Sequence, residues 1–95
     1  MADVEILDNT DKQRFEAVVD GTVVGFSQYK LSPGVITFLH TEVDPAQEGE
    51  GIGSQIVRRS LDQVRADGEL KVRPLCPFYQ SWLERHDEYA DLILL

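Results

Sequence analysis

The chain is expected to fold as a mixed α/β (α+β) domain: an antiparallel meander, then a β-α-β crossover and a C-terminal helix. Three observations carry this. Up to Val43 the apolar residues follow strand-like patterns broken by turn signals. From Ile52 onward the period changes to that of a helix. Between them runs Glu48-Gly49-Glu50-Gly51-Ile52-Gly53-Ser54, with three glycines at alternate positions leading into the helical pattern.

The elements follow in order. Val4 to Asp8 reads as a short strand ended by Asn9, Thr10 and Asp11. Arg14 to Val19 alternates, with Phe15, Ala17 and Val19 on one face. Asp20-Gly21 is the strongest short hairpin signal. Thr22 to Leu31 is the returning strand, and Ser32-Pro33-Gly34 is a second turn. Val35 to Val43 is β-branched and aromatic, a third long strand. Ile52, Ile56, Val57, Leu61 and Val64 share one helical face, and Gly68 is the stop. Leu70 to Arg73 is a short strand, placed parallel to Val35–Val43 by a right-handed crossover. Pro77 opens a second helix through Trp82 to Arg85. Phe78, Trp82 and Leu83 read as core, and His86, Asp87 and Glu88 as solvated. Tyr89 to Leu95 is an apolar tail tied to that core.

Composition bounds the function. Ninety-five residues make one domain, 1–95, with little chain left for a separate substrate domain. A net charge of −8 and no Lys/Arg cluster argue against nucleic acid as a partner. A single cysteine excludes an intramolecular disulfide. The first residues lack a basic, apolar leader, and no run has transmembrane length. The expectation is a cytoplasmic protein, monomeric or weakly dimeric, with no membrane or metal partner.

Strand, glycine loop and helix together suit a phosphorylated ligand. Glycine lets the backbone come close, and the opening amides of a helix lack internal partners and favour an anion. The spacing G-x-G-x-G after a meander does not fit the dinucleotide fingerprint of a βαβ unit, and no Gly-Lys-Ser/Thr ending marks a P-loop. A glycine-rich turn that only packs a helix on a sheet fits the same letters. The preceding strand and following apolar helix favour binding.

At this point the chain resembles a known group. The stretch from Val43 to Val57 (VDPAQEGEGIGSQIV) is similar to motif A of the GNAT N-acetyltransferase superfamily, an Arg/Gln-x-x-Gly-x-Gly/Ala signature. His40-Thr41-Glu42-Val43, Leu75-Cys76-Pro77-Phe78-Tyr79 and Glu88-Tyr89-Ala90-Asp91-Leu92 resemble its short, cysteine-containing, minimal members. The resemblance covers roughly residues 14 to 94. It implies a sheet that splays beside His40–Val43, with acetyl-CoA or coenzyme A in the gap. Pantetheine would pair with backbone near Glu42 and Val43, and the pyrophosphate would rest on the amides from Gly49 to Ser54. The implied cofactor site is therefore Val43, Glu48, Gly49, Glu50, Gly51, Ile52, Gly53, Ser54 and Cys76. The implied reaction is acyl transfer to an amine on a small molecule or protein, with an amide near Val43 polarising the thioester carbonyl.

One position departs from the group's pattern: Glu48 stands where Arg or Gln is usual, and Glu50 adds a second carboxylate. Arg58, Arg59, Lys71 and Arg73 are the candidates to offset them.

The chemical residues are four. His40 and Glu42 alternate with Thr41 and so share a face, together with Ile36 and Phe38. Either can take a proton from an ammonium, and the resemblance puts an acid here, so Glu42 is the first candidate base and His40 the second. Equally, an exposed strand end and a half-buried hydrogen-bonded histidine would account for them. Cys76 precedes the expected helix, where the dipole favours a thiolate, although an inert buried cysteine is the common alternative. Tyr79 follows by one turn, placed to donate to departing coenzyme A thiolate. A coenzyme A or acyl-CoA binding protein with little catalysis is the alternative reading, and a plain interaction module the third. The acidic surface favours a cationic acceptor through steering.

Overall fold

The structure is a computed structural model that describes residues 3–47 and 49–94. Five strands form one sheet in chain order: β1 (Glu5–Asn9), β2 (Arg14–Val19), β3 (Thr22–Ser32), β4 (Val35–Val43) and β5 (Lys71–Pro74). Neighbours are antiparallel through β4, and β5 lies parallel to β4. Helix α1 (Ile52–Asp67) makes the crossover, and α2 (Pro77–Leu83) follows β5. The meander and crossover expected from the sequence are both present. Only α2 is shorter than expected, ending at Leu83.

Local chemistry sets the boundaries. Asp20 and Gly21 both take positive φ, 50° and 78°, as the tight β2–β3 hairpin requires. Helix α1 closes on Gly68, whose amide donates to the Val64 carbonyl at 3.3 Å. Its apolar stripe, Ile52, Ile56, Val57, Leu61 and Val64, is buried against Phe15, Ala17, Ile36 and Phe38 of the sheet. Side chains of this size, fully buried, each contribute about 1.5–3 kcal/mol. Tyr79 of α2 stacks on Phe38 with ring centroids 4.2 Å apart, and its hydroxyl meets Ser60 of α1 at 2.8 Å. Both helices therefore cover the same face. Arg14, Glu16, Phe26, His40 and Glu42 stand on the other face, which no helix covers among the described residues.

A bulge in β4 corrects one expectation. Gln28 pairs with His40 but Tyr29 pairs with Phe38, so Leu39 is an extra residue on β4. One inserted residue reverses the alternation beyond it. Ile36 and Phe38 face the helices. Past the bulge it is Thr41 and Val43 that face them, and His40 and Glu42 lie on the bare face. They do not share a face with Ile36 and Phe38.

The C-terminal segment is tied down over Asp87–Leu92, a 3-10 turn that buries Tyr89 and Leu92. Leu94 donates to the Val72 carbonyl at 2.8 Å, and Arg65 grips both Asp91 oxygens at 2.9 Å. That grip holds the Asp91 carboxyl below its ordinary range. The tail expected on the core is there as far as Leu94, and Leu95 lies outside the described residues. His86 is not merely solvated: its ring stacks on Trp82 at 3.7 Å.

Candidate functional site

β4 and β5 pair only from Val35 to Phe38 on β4 and from Lys71 to Pro74 on β5. Pro74 has no amide hydrogen to continue the ladder. The chain then bends away, and the Phe38 carbonyl accepts from both Leu75 (3.1 Å) and Cys76 (2.9 Å). Beyond Phe38, β4 keeps β3 on one side and loses β5 on the other. The strands splay beside His40–Val43.

A cleft of about 470 Å³ occupies the helix side of this gap. Thr41 and Val43 wall it from β4, Gln47, Gly49 and residues 51–54 from the loop and first turn of α1, and Phe78 from α2. No cation lines it. An anion here would rely on backbone. Gly51, in the left-handed region at φ 75°, is the N-cap of α1, and no side-chain cap is made there among the described residues. The amides of Gly51, Ile52, Gly53 and Ser54 are those that a helix leaves without internal partners, and the positive end of a sixteen-residue dipole lies among them. No acidic side chain stands in the first turn to satisfy them.

The other loop residues divide. Gly49 is also left-handed, at φ 86°. Ile52 borders the cleft with its side chain buried. The Ser54 hydroxyl accepts the Trp82 indole N–H at 2.8 Å. Glu50 lines a second groove rather than this cleft. Glu48 lies outside the described residues.

Gly53 matters for space. A Cβ there would come 2.7 Å from the Phe78 ring. Phe78 is 43% exposed and roofs the first turn of α1, so it is a wall of the cleft and not the core residue expected. Trp82 is buried as expected. The signal for Phe78 was the adjacent pair Phe78-Tyr79 on a seven-residue helix, of which only one can face the core.

Cys76 is the N-cap of α2 and is buried, with Sγ 3.3 Å from Thr41 Oγ1. Thr41 Oγ1 also meets Ser27 Oγ at 2.8 Å. A chain of three hydroxyl and thiol groups thus crosses from β3 through β4 to the start of α2. Nothing in the sequence singles out Thr41, because its inward direction depends on the bulge.

Tyr79 is corrected. It is fully buried, its hydroxyl is held by Ser60, and burial pushes the phenol well above its ordinary range. It anchors α2 to α1 and does not reach the opening.

His40 Nε2 and Glu42 Oε1 are 2.9 Å apart, exposed on the bare face. Glu42 lines a cleft of about 360 Å³ there, with Arg14, Phe26 and Asp44. Val43 borders both clefts, so the splayed end of β4 separates the glycine loop from the acids.

Comparison with known proteins places the molecule. A comparison with curated proteins finds no match. Among solved structures, a GCN5-like protein from Staphylococcus aureus, determined in solution by NMR, superposes with a TM-score of 0.73. The match covers 99% of this chain and 91% of that one at 24% identity, which is evidence for the fold. The family described as GCN5-related N-acetyl-transferase matches residues 14–92, from the second strand through the C-terminal turn. With the splayed β4, the glycine loop and the crossover helix all inside that span, the chain belongs to the GCN5-related N-acetyltransferase family.

Proposed function

We propose that this protein transfers an acyl group, most simply acetyl from acetyl-CoA, to an amine. The observation that carries the proposal is the uncapped first turn of α1 opening onto the gap beside β4. A diphosphate fits those amides. The edge of β4 beyond Phe38 offers backbone groups to the two amides of pantetheine, much as a strand would. The thioester would then reach the end of β4, where the acyl carbon is open to the bare face. An acceptor entering there meets Glu42 and His40. Glu42, with His40 hydrogen-bonded beside it, takes the proton from an ammonium, and the free amine attacks the thioester carbonyl. The coenzyme A sulfur departs. The acceptor is an amine of a small molecule or of a protein.

Removal of the base is expected to lower turnover by about 10²- to 10⁴-fold. Glu42→Gln should show that loss in an acetyl-CoA-dependent assay with polyamine, aminoglycoside and peptide amines, with acetyl-CoA affinity unchanged. Turnover equal to that of the original protein would remove Glu42 from the mechanism.

One observation favours the second reading, a coenzyme A binding protein with little catalysis. Tyr79 is locked in the core, so its phenol is not placed to protonate the departing thiolate. Saturable acetyl-CoA binding without turnover on any of those amines would favour that reading.

A further inference from the structure

The bare face of the sheet carries charges that acyl transfer to a simple amine leaves unused. Strand register brings them together. Glu16, Phe26 and Glu42 lie opposite one another on β2, β3 and β4, so their side chains form one row. Arg14 precedes Glu16 by two residues and shares its face. Its guanidinium lies over the Phe26 ring, 4.5 Å from the centroid.

A neighbour holds each end of this row. Arg14 Nε donates to Glu16 Oε2 at 2.7 Å, and Asn9 donates to the same oxygen at 3.2 Å. Glu42 Oε1 meets His40 Nε2 at 2.9 Å. Among the described residues, these bonds leave the terminal nitrogens of Arg14 and Oε2 of Glu42 without a side-chain partner. Both residues line the cleft of about 360 Å³, yet no ion pair joins them among the described residues. The cleft therefore presents donors over Phe26 and an acceptor one strand away, a step of about 4.8 Å.

We propose that this cleft selects an acceptor with a carboxylate beside its amine, a free amino acid, and that Arg14 recognises the carboxylate. The proposal rests on the acyl-transfer reading above. A planar guanidinium presents paired N–H donors to a carboxylate, and stacking on Phe26 fixes its plane. Asp44 lines the cleft with Glu42, which turns the ammonium toward the end of β4. The product is an N-acyl amino acid: the N–C bond forms as the C–S bond breaks. Of the two protons that the nitrogen gives up, one passes through Glu42 to solvent and the other accompanies the departing thiolate. A polyamine fits less well, because a guanidinium already covers the ring face that would attract another cation. Glu16 offsets much of the charge on Arg14, so the preference rests on hydrogen bonding and is about tenfold.

The test measures coenzyme A release from acetyl-CoA with alanine, leucine and serine, each against its α-amide, and with a polyamine. The proteins are the original, Arg14→Gln and Lys30→Ala, which removes the same charge four residues beyond Phe26 on β3. The expected kcat/KM is about tenfold higher for each amino acid than for its amide, and Lys30→Ala keeps that ratio. In Arg14→Gln the ratio falls to one or below, through a higher KM for the amino acid. Arg14→Gln with Glu16→Gln removes both charges of the pair, and the same fall is expected there should the single variant not fold. Equal use of acid and amide by the original protein, preference for the polyamine, or a ratio unchanged without Arg14 would overturn the proposal and leave acyl transfer standing. Saturable acetyl-CoA binding with no turnover on any of these amines would overturn the two together.

Discussion

The Gly51→Glu substitution is expected to weaken acetyl-CoA binding by at least about a hundredfold while the protein stays folded. Two effects add. Gly51 is left-handed at φ 75°, a conformation that costs an L residue about 1–2 kcal/mol. The loop can relieve that strain only by moving the amides that follow. The new carboxylate would also sit at the positive end of α1 and compete for those amides. Charge-assisted hydrogen bonds of this kind are worth about 1.5–3 kcal/mol each, so losing one or two accounts for the expected change. A Cβ at this position would meet nothing within 4 Å, so no clash with the rest of the fold is involved. Gly51→Ala separates the two effects, since it carries the strain without the charge. It should keep most of the affinity and lose about 1–2 kcal/mol of stability in a denaturant titration. Unchanged acetyl-CoA affinity in Gly51→Glu would mean that the ligand does not use this turn.

Trp82→Ala is expected to be the most damaging single change to stability, at about 3–5 kcal/mol. The indole is 2% exposed, stacks on His86 and lies 5.6 Å from the Tyr89 ring. Its N–H also reaches Ser54 on the first turn of α1 at 2.8 Å, so Trp82 joins α2, the C-terminal segment and the glycine turn. Small domains hold only about 5–15 kcal/mol in all. A melting temperature lower by roughly 15–30 °C should follow, read by circular dichroism. Trp82→Phe keeps most of the buried area and should cost much less. A loss below about 1 kcal/mol in Trp82→Ala would contradict the packing of α2 described above.

Much of this fold is legible in the sequence, because local chemistry specifies it. Asp20-Gly21 dictates a hairpin, Gly68 a helix stop, and the 52-56-57-61-64 spacing a helix face. Residues whose role depends on a partner in another element were not legible. The bulge at Leu39 arises from pairing with Gln28 and Tyr29, and nothing in the run VITFLHTEV announces it. The facing of His40, Thr41 and Glu42 was therefore misjudged. Tyr79 looks free one turn after Cys76 until Ser60, nineteen residues earlier, takes its hydroxyl. The bare C–H of Gly53 leaves the room that Phe78 fills. The loop itself was readable because its glycines, with no side chains, have little else to explain them.

The central claim is that the uncapped turn at Gly51 holds the diphosphate of an acyl-CoA. Calorimetric titration of the reduced protein with acetyl-CoA, repeated with ATP, tests it most directly. The account predicts saturable, one-to-one binding of acetyl-CoA and no comparable binding of ATP, which carries phosphates but no pantetheine arm for the β4 edge. No detectable heat or thermal shift with millimolar acetyl-CoA, or equal binding of ATP, would contradict it.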